Sequence, residues 1–256
     1  REAVGRGDYT EALPLLRTAC LDDPDEPQHL TELADLLWNA GRWDDAERTA
    51  QALLAHPRAT TVLQGRALSR LGDLAVACGE LTLAAAHYER AEALPSDENT
   101  ARQLTARRLV LGEPGAGPLL IAVLTGVAPG SARLGPRPPE RSESVSIYML
   151  TRAAALSPGL ALAPYILGRL LYQRGGYAES AGELARALEL GLPDARFERQ
   201  ALLLLGQARL LSGDPPGASA AFARLRPLLP PHELGLMSEL VDYQDRAARW
   251  DSLPVQ

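Results

Sequence analysis

Leu167-Gly168-Arg169-Leu170-Leu171-Tyr172-Gln173-Arg174-Gly175-Gly176-Tyr177-Ala178-Glu179-Ser180, continued by Leu184, Ala187 and Pro193, is the stretch whose reading decides the fold. Apolar residues recur there at helical spacing, a glycine pair interrupts them, and Pro193 stops the second run. The stretch reads as a helix, a tight turn and an antiparallel second helix.

Outward from it, the same pattern recurs along most of the chain. Turn glycines stand at Gly7, Gly41, Gly79, Gly112, Gly175 and Gly213, at intervals of 34, 38, 33, 63 and 38 residues. Eight residues before each turn after the first stand Leu33, Leu71, Leu104, Leu167 and Leu205. The next residue is always small: Ala34, Gly72, Thr105, Gly168 or Gly206. Small residues also stand five places after each turn (Ala12, Ala46, Ala84, Gly117, Ser180, Ala218), and apolar or aromatic ones follow nine and twelve places after. Those offsets share one helical face. Prolines close the second helices at Pro24, Pro57, Pro95, Pro129, Pro193 and Pro230. Periods of this length belong to solenoids, in which each unit buries its apolar face only against its neighbours.

Composition agrees. Of the 256 residues, 46% are hydrophobic but only 5% aromatic, so the apolar content is mostly the helix formers Ala and Leu. A net charge of −6 leaves no basic footprint for nucleic acid or for an anionic membrane. All 26 cations are arginine, which points to a GC-rich, bacterial genome and removes any Schiff-base or phosphate-loop chemistry that needs lysine. Cys20 and Cys78 are isolated and read as small packed residues. The apolar run from Leu119 to Leu124 is too short to span a bilayer, so no membrane insertion is expected.

The segments Gly7-Asp8-Tyr9-Thr10-Glu11-Ala12 to Asp23-Pro24, and Gly175-Gly176-Tyr177-Ala178-Glu179-Ser180 to Pro193, resemble tetratricopeptide repeats in their order of Leu-Gly, Gly-x-Tyr, Ala and Pro. Trp43 takes the aromatic place after Gly41, whereas Pro114 and Pro215 replace it after two other turns. The resemblance covers nearly the whole chain. It implies an all-α fold: a right-handed superhelix of stacked antiparallel helix pairs with a concave groove.

On this reading residues 1–256 form one solenoid with an irregular break near 130–139, where Pro136, Pro138 and Pro139 forbid a regular helix. The break parts front units (1–129) from back units (140–256). Leu150 and Ala153 place a helix over 140–156, and residues 233–249 are expected to form a capping helix. The chain opens at Arg1 in mid-pattern and is read as a piece of a longer protein. Its compartment, cytoplasm or periplasm, is left open.

Catalytic signatures fail at a necessary residue. Gly112 and Gly117 are spaced like a phosphate loop, but Pro118 stands where lysine is required. His232-Glu233 has Leu236 where a zinc motif needs its second histidine, and Gly217-Ala218-Ser219-Ala220-Ala221 lacks the closing glycine of a nucleophile elbow. Asp22, Asp23, Asp25 and Glu26 read as a solvated turn, with weak calcium binding as the alternative. Arg133, Arg137 and Arg141 among prolines read as a linker, with docking of an acidic partner as the alternative. No enzyme, cofactor or metal site is expected.

In the family that the chain resembles, the first helix of each unit lines the groove and commonly receives peptides. Three, six and ten residues before each turn stand Trp38, Asp35 and Thr31; Val76, Asp73 and Ser69; Leu109, Ala106 and Arg102; Tyr172, Arg169 and Tyr165; Leu210, Gln207 and Leu203. With Asn39 and Arg66 beside them, the expected partner-binding set is Thr31, Asp35, Trp38, Asn39, Arg66, Asp73, Arg102, Tyr165, Arg169, Tyr172 and Gln207. Aromatic residues with arginine make the composition of an interface hot spot. At the places where chaperone-tail-binding members hold a terminal carboxylate stand Thr31, Asp35, Arg66 and Arg70, of which only the arginines suit that task. The expected function is a non-enzymatic scaffold binding a peptide or helical segment of another protein. The alternative is a regulatory or substrate-selecting arm of a larger enzyme, a protease or kinase, whose catalytic domain precedes Arg1.

Overall fold

The structure is a computed structural model describing residues 9–134, 143–229, 242 and 244–246. It divides into two compact units, residues 1–142 and 143–256. The first holds α1 (Tyr9–Asp22), α2 (Pro27–Asn39), α3 (Trp43–Ala55), α4 (Thr61–Cys78), α5 (Leu81–Glu92), α6 (Glu98–Leu111), α7 (Gly117–Thr125) and a 3-10 turn, Ser131–Leu134. The second holds α8 (Glu143–Leu156), α9 (Leu162–Gln173), α10 (Tyr177–Leu190), α11 (Ala195–Leu211), α12 (Pro215–Leu225) and a 3-10 turn, Arg226–Leu228. No strand occurs among the described residues.

Helices pair as hairpins, α2 with α3, α4 with α5, α6 with α7, α9 with α10 and α11 with α12, and within each unit each pair packs on the next. We call the first helix of each pair the leading helix. At Gly41, Gly79, Gly175 and Gly213 the backbone has positive φ, which glycine adopts without strain. The phased leucines, Leu33, Leu71, Leu104, Leu167 and Leu205, are all buried. Opposite them lie the second-helix residues that the offsets select: Ala46, Ala50 and Leu53; Ala84, Tyr88 and Ala91; Leu184 and Ala187; Ala218, Phe222 and Leu225.

Three of the small residues that follow the leucines have a specific opposite number. A Cβ at Gly72 would stand 2.4 Å from the Tyr88 ring, one at Gly168 2.7 Å from Leu184, and one at Gly206 2.3 Å from Phe222. Each bulky residue is the one nine places after its turn, so the glycine makes room for it. Tyr88 in addition donates its hydroxyl to Asp73 Oδ1 at 2.8 Å. Burial, with the Asp73 carboxylate beside it, pushes that hydroxyl above its ordinary value.

Two features differ from the sequence reading. Gly112 closes α6 in the right-handed region, with φ −78°, and not through the left-handed turn seen at the other four glycines; the connection runs on to Gly117. Helix α7 ends at Thr125, before Pro129, because Gly126 turns left-handed and Thr125 Oγ1 donates back to Ile121 O at 2.8 Å. Gly130 N donates to Val76 O at 3.0 Å. In the second unit α8 buries Leu150 and Ala153. Pro136, Arg137, Arg141, His232 and most of the expected capping helix lie outside the described residues.

Two outcomes follow from this packing. Gly182 is an exposed helical glycine with nothing within 4 Å of an added Cβ, so Gly182→Ala should stabilise by about 1 kcal/mol. Gly206→Ala should instead destabilise by about 1–3 kcal/mol through overpacking, with part of the loss restored by Phe222→Leu; denaturant melts give both signs. The Tyr88 hydroxyl keeps its proton in the fold, whereas the unfolded one ionises near 10.0. Above that pH the folded chain holds the extra proton, and stability should fall with pH by up to about 1.4 kcal/mol per unit. Tyr88→Phe should remove this component of the slope while lowering stability at neutral pH, which melts between pH 8 and 11 would reveal.

Candidate functional site

The leading helices of the first unit enclose a cleft of about 520 Å³. Helix α4 supplies its central wall, because Val62, Arg66, Ser69, Arg70 and Asp73 recur at three- and four-residue steps on one face. Asp35 comes from α2 on one side, and Thr100, Gln103 and Arg107 come from α6 on the other.

The floor is a buried ionic network. Asp73, only 5% exposed, accepts from Tyr88 and pairs with Arg107 Nε at 3.4 Å and Arg70 Nη1 at 3.5 Å. Arg107 also donates to Ser69 Oγ at 3.4 Å and to Leu124 O at 3.5 Å. Arg70 reaches across to α2, donating to Asp35 Oδ1 from Nε at 3.2 Å and from Nη2 at 2.5 Å. Its guanidinium lies 4.8 Å from the ring centre of Trp38, which in turn meets Trp43 edge-on at 5.2 Å. Each arginine is thus held by carboxylate and aromatic ring together, which fixes a side chain that would otherwise sample many rotamers. At the rim, Asp97 caps α6 through Thr100 N at 2.9 Å and Thr100 Oγ1 at 2.6 Å, and those bonds, the side-chain one foremost, hold its carboxyl below the usual range. Arg66, exposed at the mouth, makes no ion pair among the described residues.

In the second unit, Tyr165 is buried edge-on against Phe197, with ring centres 5.4 Å apart. Arg169 lies over the Tyr165 ring at 5.7 Å. Tyr172 meets Tyr177 edge-on at 5.5 Å and donates its hydroxyl to Gln207 Oε1 at 3.2 Å.

Of the residues singled out from sequence, Asp35, Arg66 and Asp73 line the cleft, and Trp38 backs Arg70 from beneath. Arg169, Tyr172 and Gln207 come together beside the buried Tyr165. Three others are not in the cleft lining. Thr31 is buried and donates to Pro27 O within its own helix; Asn39 is exposed at the end of α2; Arg102 is buried and paired with Glu98 at 3.1 Å. The sequence reading missed Arg107 and Gln103. Counting back from Gly112 selects Ala106 and Arg102, each one residue short of the cleft-lining Arg107 and Gln103.

Asp25 pairs with Arg58 at 3.4 Å and Glu26 caps α2, which accounts for two members of the acidic turn. Among the described residues no cluster of His, Cys, Asp and Glu is arranged to hold a metal ion. No helix among them is long and apolar enough to cross a membrane.

Two family models, both described as tetratricopeptide repeat, match residues 3–71 and 165–233, together more than half of the chain. No curated protein matches the sequence. Among solved structures, YrrB, a TPR protein with an unusual peptide-binding site, is 15% identical over 88% of this chain and 97% of its own, with a TM-score of 0.38. The TPR2AB-domain:pHSP90 complex of yeast Sti1 is 13% identical over 97% of this chain and 95% of its own, with a TM-score of 0.39. Pseudomonas aeruginosa pilF is 15% identical over 98% and 93%, with a TM-score of 0.37. Family membership rests on the two sequence matches and on the phased hairpins, since superpositions this loose add nothing to it. By both, the chain belongs to the tetratricopeptide-repeat family, whose members are in general non-catalytic protein–protein interaction modules.

Proposed function

We propose that this chain is a non-catalytic scaffold whose leading helices receive a peptide or helical segment of a partner protein. The observation that carries this reading is the cleft between α2, α4 and α6, with its fixed arginines and carboxylates. A surface whose polar groups are already oriented loses little side-chain freedom when a partner arrives, and that saving appears as affinity. In the first unit the partner meets Asp35, Arg66 and the Arg70 guanidinium, while Asp73 and Trp38 hold that guanidinium in place from behind. In the second it meets Arg169, Tyr172 and Gln207, with Tyr165 as the supporting wall. Thr31, Asn39 and Arg102 act, on this reading, through the helix ends and packing around these places.

The test avoids buried positions, whose loss would unfold the chain. A photo-crosslinking residue at Val62 or Gln103, both lining the cleft, should give an adduct with a partner protein in the native cell. The same residue at Leu83, exposed on α5 and outside the cleft, should give none. Equal crosslinking at all three would reject the cleft as the docking place. Arg66→Glu, which breaks no ion pair among the described residues, should weaken partner binding about tenfold, as loss of one charge-assisted contact does. A binding isotherm with unchanged thermal midpoint checks this.

A further inference from the structure

We infer that the second unit carries, at Arg169, a subsite for the side-chain carboxylate of an acidic segment in a partner protein. This rests on the proposal that the leading helices receive the partner, and adds the chemistry that one of them selects.

The register of the repeats exposes the site. Arg169 stands six residues before Gly175; at the same place before Gly41 and Gly79 stand Asp35 and Asp73. In the first unit each of those carboxylates is answered by an arginine of the next leading helix, Arg70 and Arg107 respectively. In the second unit the sign is reversed and the answer is missing. The cation is on α9, and the places on α11 that correspond to Arg70 and Arg107 carry Leu204 and Ala208, with the neutral Gln207 beside them. Arg169 is half-buried, and its interaction among the described residues is the face of Tyr165, 5.7 Å away. A guanidinium with a ring on one side has given up part of its hydration there, while its N–H edge stays available for a bidentate carboxylate.

Gln207 extends the site. Its Oε1 accepts from the Tyr172 hydroxyl, which orients the amide and leaves the Nε2 donors with no partner among the described residues. Packed helices lie roughly 9 Å apart, and an extended chain advances about 3.3 Å per residue. A peptide whose carboxylate sits on Arg169 therefore brings a backbone carbonyl to Gln207 two or three residues along. Arg169 is mid-helix, and Tyr172 a turn further on is half-buried, so a peptide has surface to follow past the guanidinium. That assigns the carboxylate to a side chain and not to a chain end.

The experiment selects random heptapeptides displayed on phage through their C-termini, which leaves no terminal carboxylate, on the full chain and on R169Q and R169E variants. The wild-type chain should enrich Asp or Glu at one position. An amidated synthetic peptide of that sequence should bind R169Q about tenfold more weakly, and R169E should enrich Lys or Arg at the same position. Unchanged thermal midpoints for both variants show that the fold is kept. Enriched peptides without an acidic position, or equal binding by wild type and R169Q, would overturn the subsite while leaving docking on the leading helices standing. Enrichment of no peptide by the wild-type chain would overturn the docking reading itself and the subsite with it.

Discussion

Two helices in a hairpin can approach only as closely as the side chains at their crossing allow, and in this chain that limit is set by pairs of residues, one on each helix. Gly72 faces Tyr88, Gly168 faces Leu184, and Gly206 faces Phe222, each so close that a single added carbon would overlap the partner. Volume given up on the leading helix is taken by the second helix, which keeps the interior packed without a void. The phased leucines then lie beside the crossing and are buried by the same approach. Within each unit, a hairpin leaves an apolar flank that its neighbour covers, and a polar face of the leading helices is left over.

On that face the first unit places charges that a hydrophobic core would reject. Asp73 is buried, yet two arginines and a tyrosine from three helices meet it. A buried ion pair is a poor source of stability, since desolvation offsets most of the attraction, but removing one member strands the other. The network therefore ties α4, α5 and α6 into one arrangement more than it deepens the fold. Through Arg70 it extends to Asp35, which is 51% exposed in its side chain, so that one continuous chain of contacts runs from the core to the mouth of the cleft. The second unit uses aromatic edges where the first uses ion pairs, with Tyr165 against Phe197 and Tyr172 against Tyr177.

The architecture was legible because glycine, leucine and proline act locally. A positive φ at Gly41, Gly79, Gly175 or Gly213 leaves its mark in the sequence at the residue itself. The site was legible only in part. Asp35, Asp73, Arg169 and Gln207 were found by counting back from such turns, and the count fell one residue short on α6, whose closing Gly112 has φ −78° and lacks the left-handed turn of the others. Arg107 was invisible for a second reason: its partners Ser69 and Asp73 lie on another repeat, and no spacing within α6 announces them. Thr31 and Arg102 show the converse, polar residues of the right register whose side chains fold back on Pro27 and Glu98 of their own helices.

The matching of glycine with tyrosine, leucine or phenylalanine also bears on how such a chain can be rebuilt by recombination. A leading helix bearing Gly206 fits the ring of Phe222, and grafted opposite Ala50 it would leave an unfilled hole, while Ala34 opposite Phe222 would collide. Gene duplication or laboratory shuffling can thus move whole hairpins between positions far more readily than single helices. The smallest heritable module of this architecture is the pair.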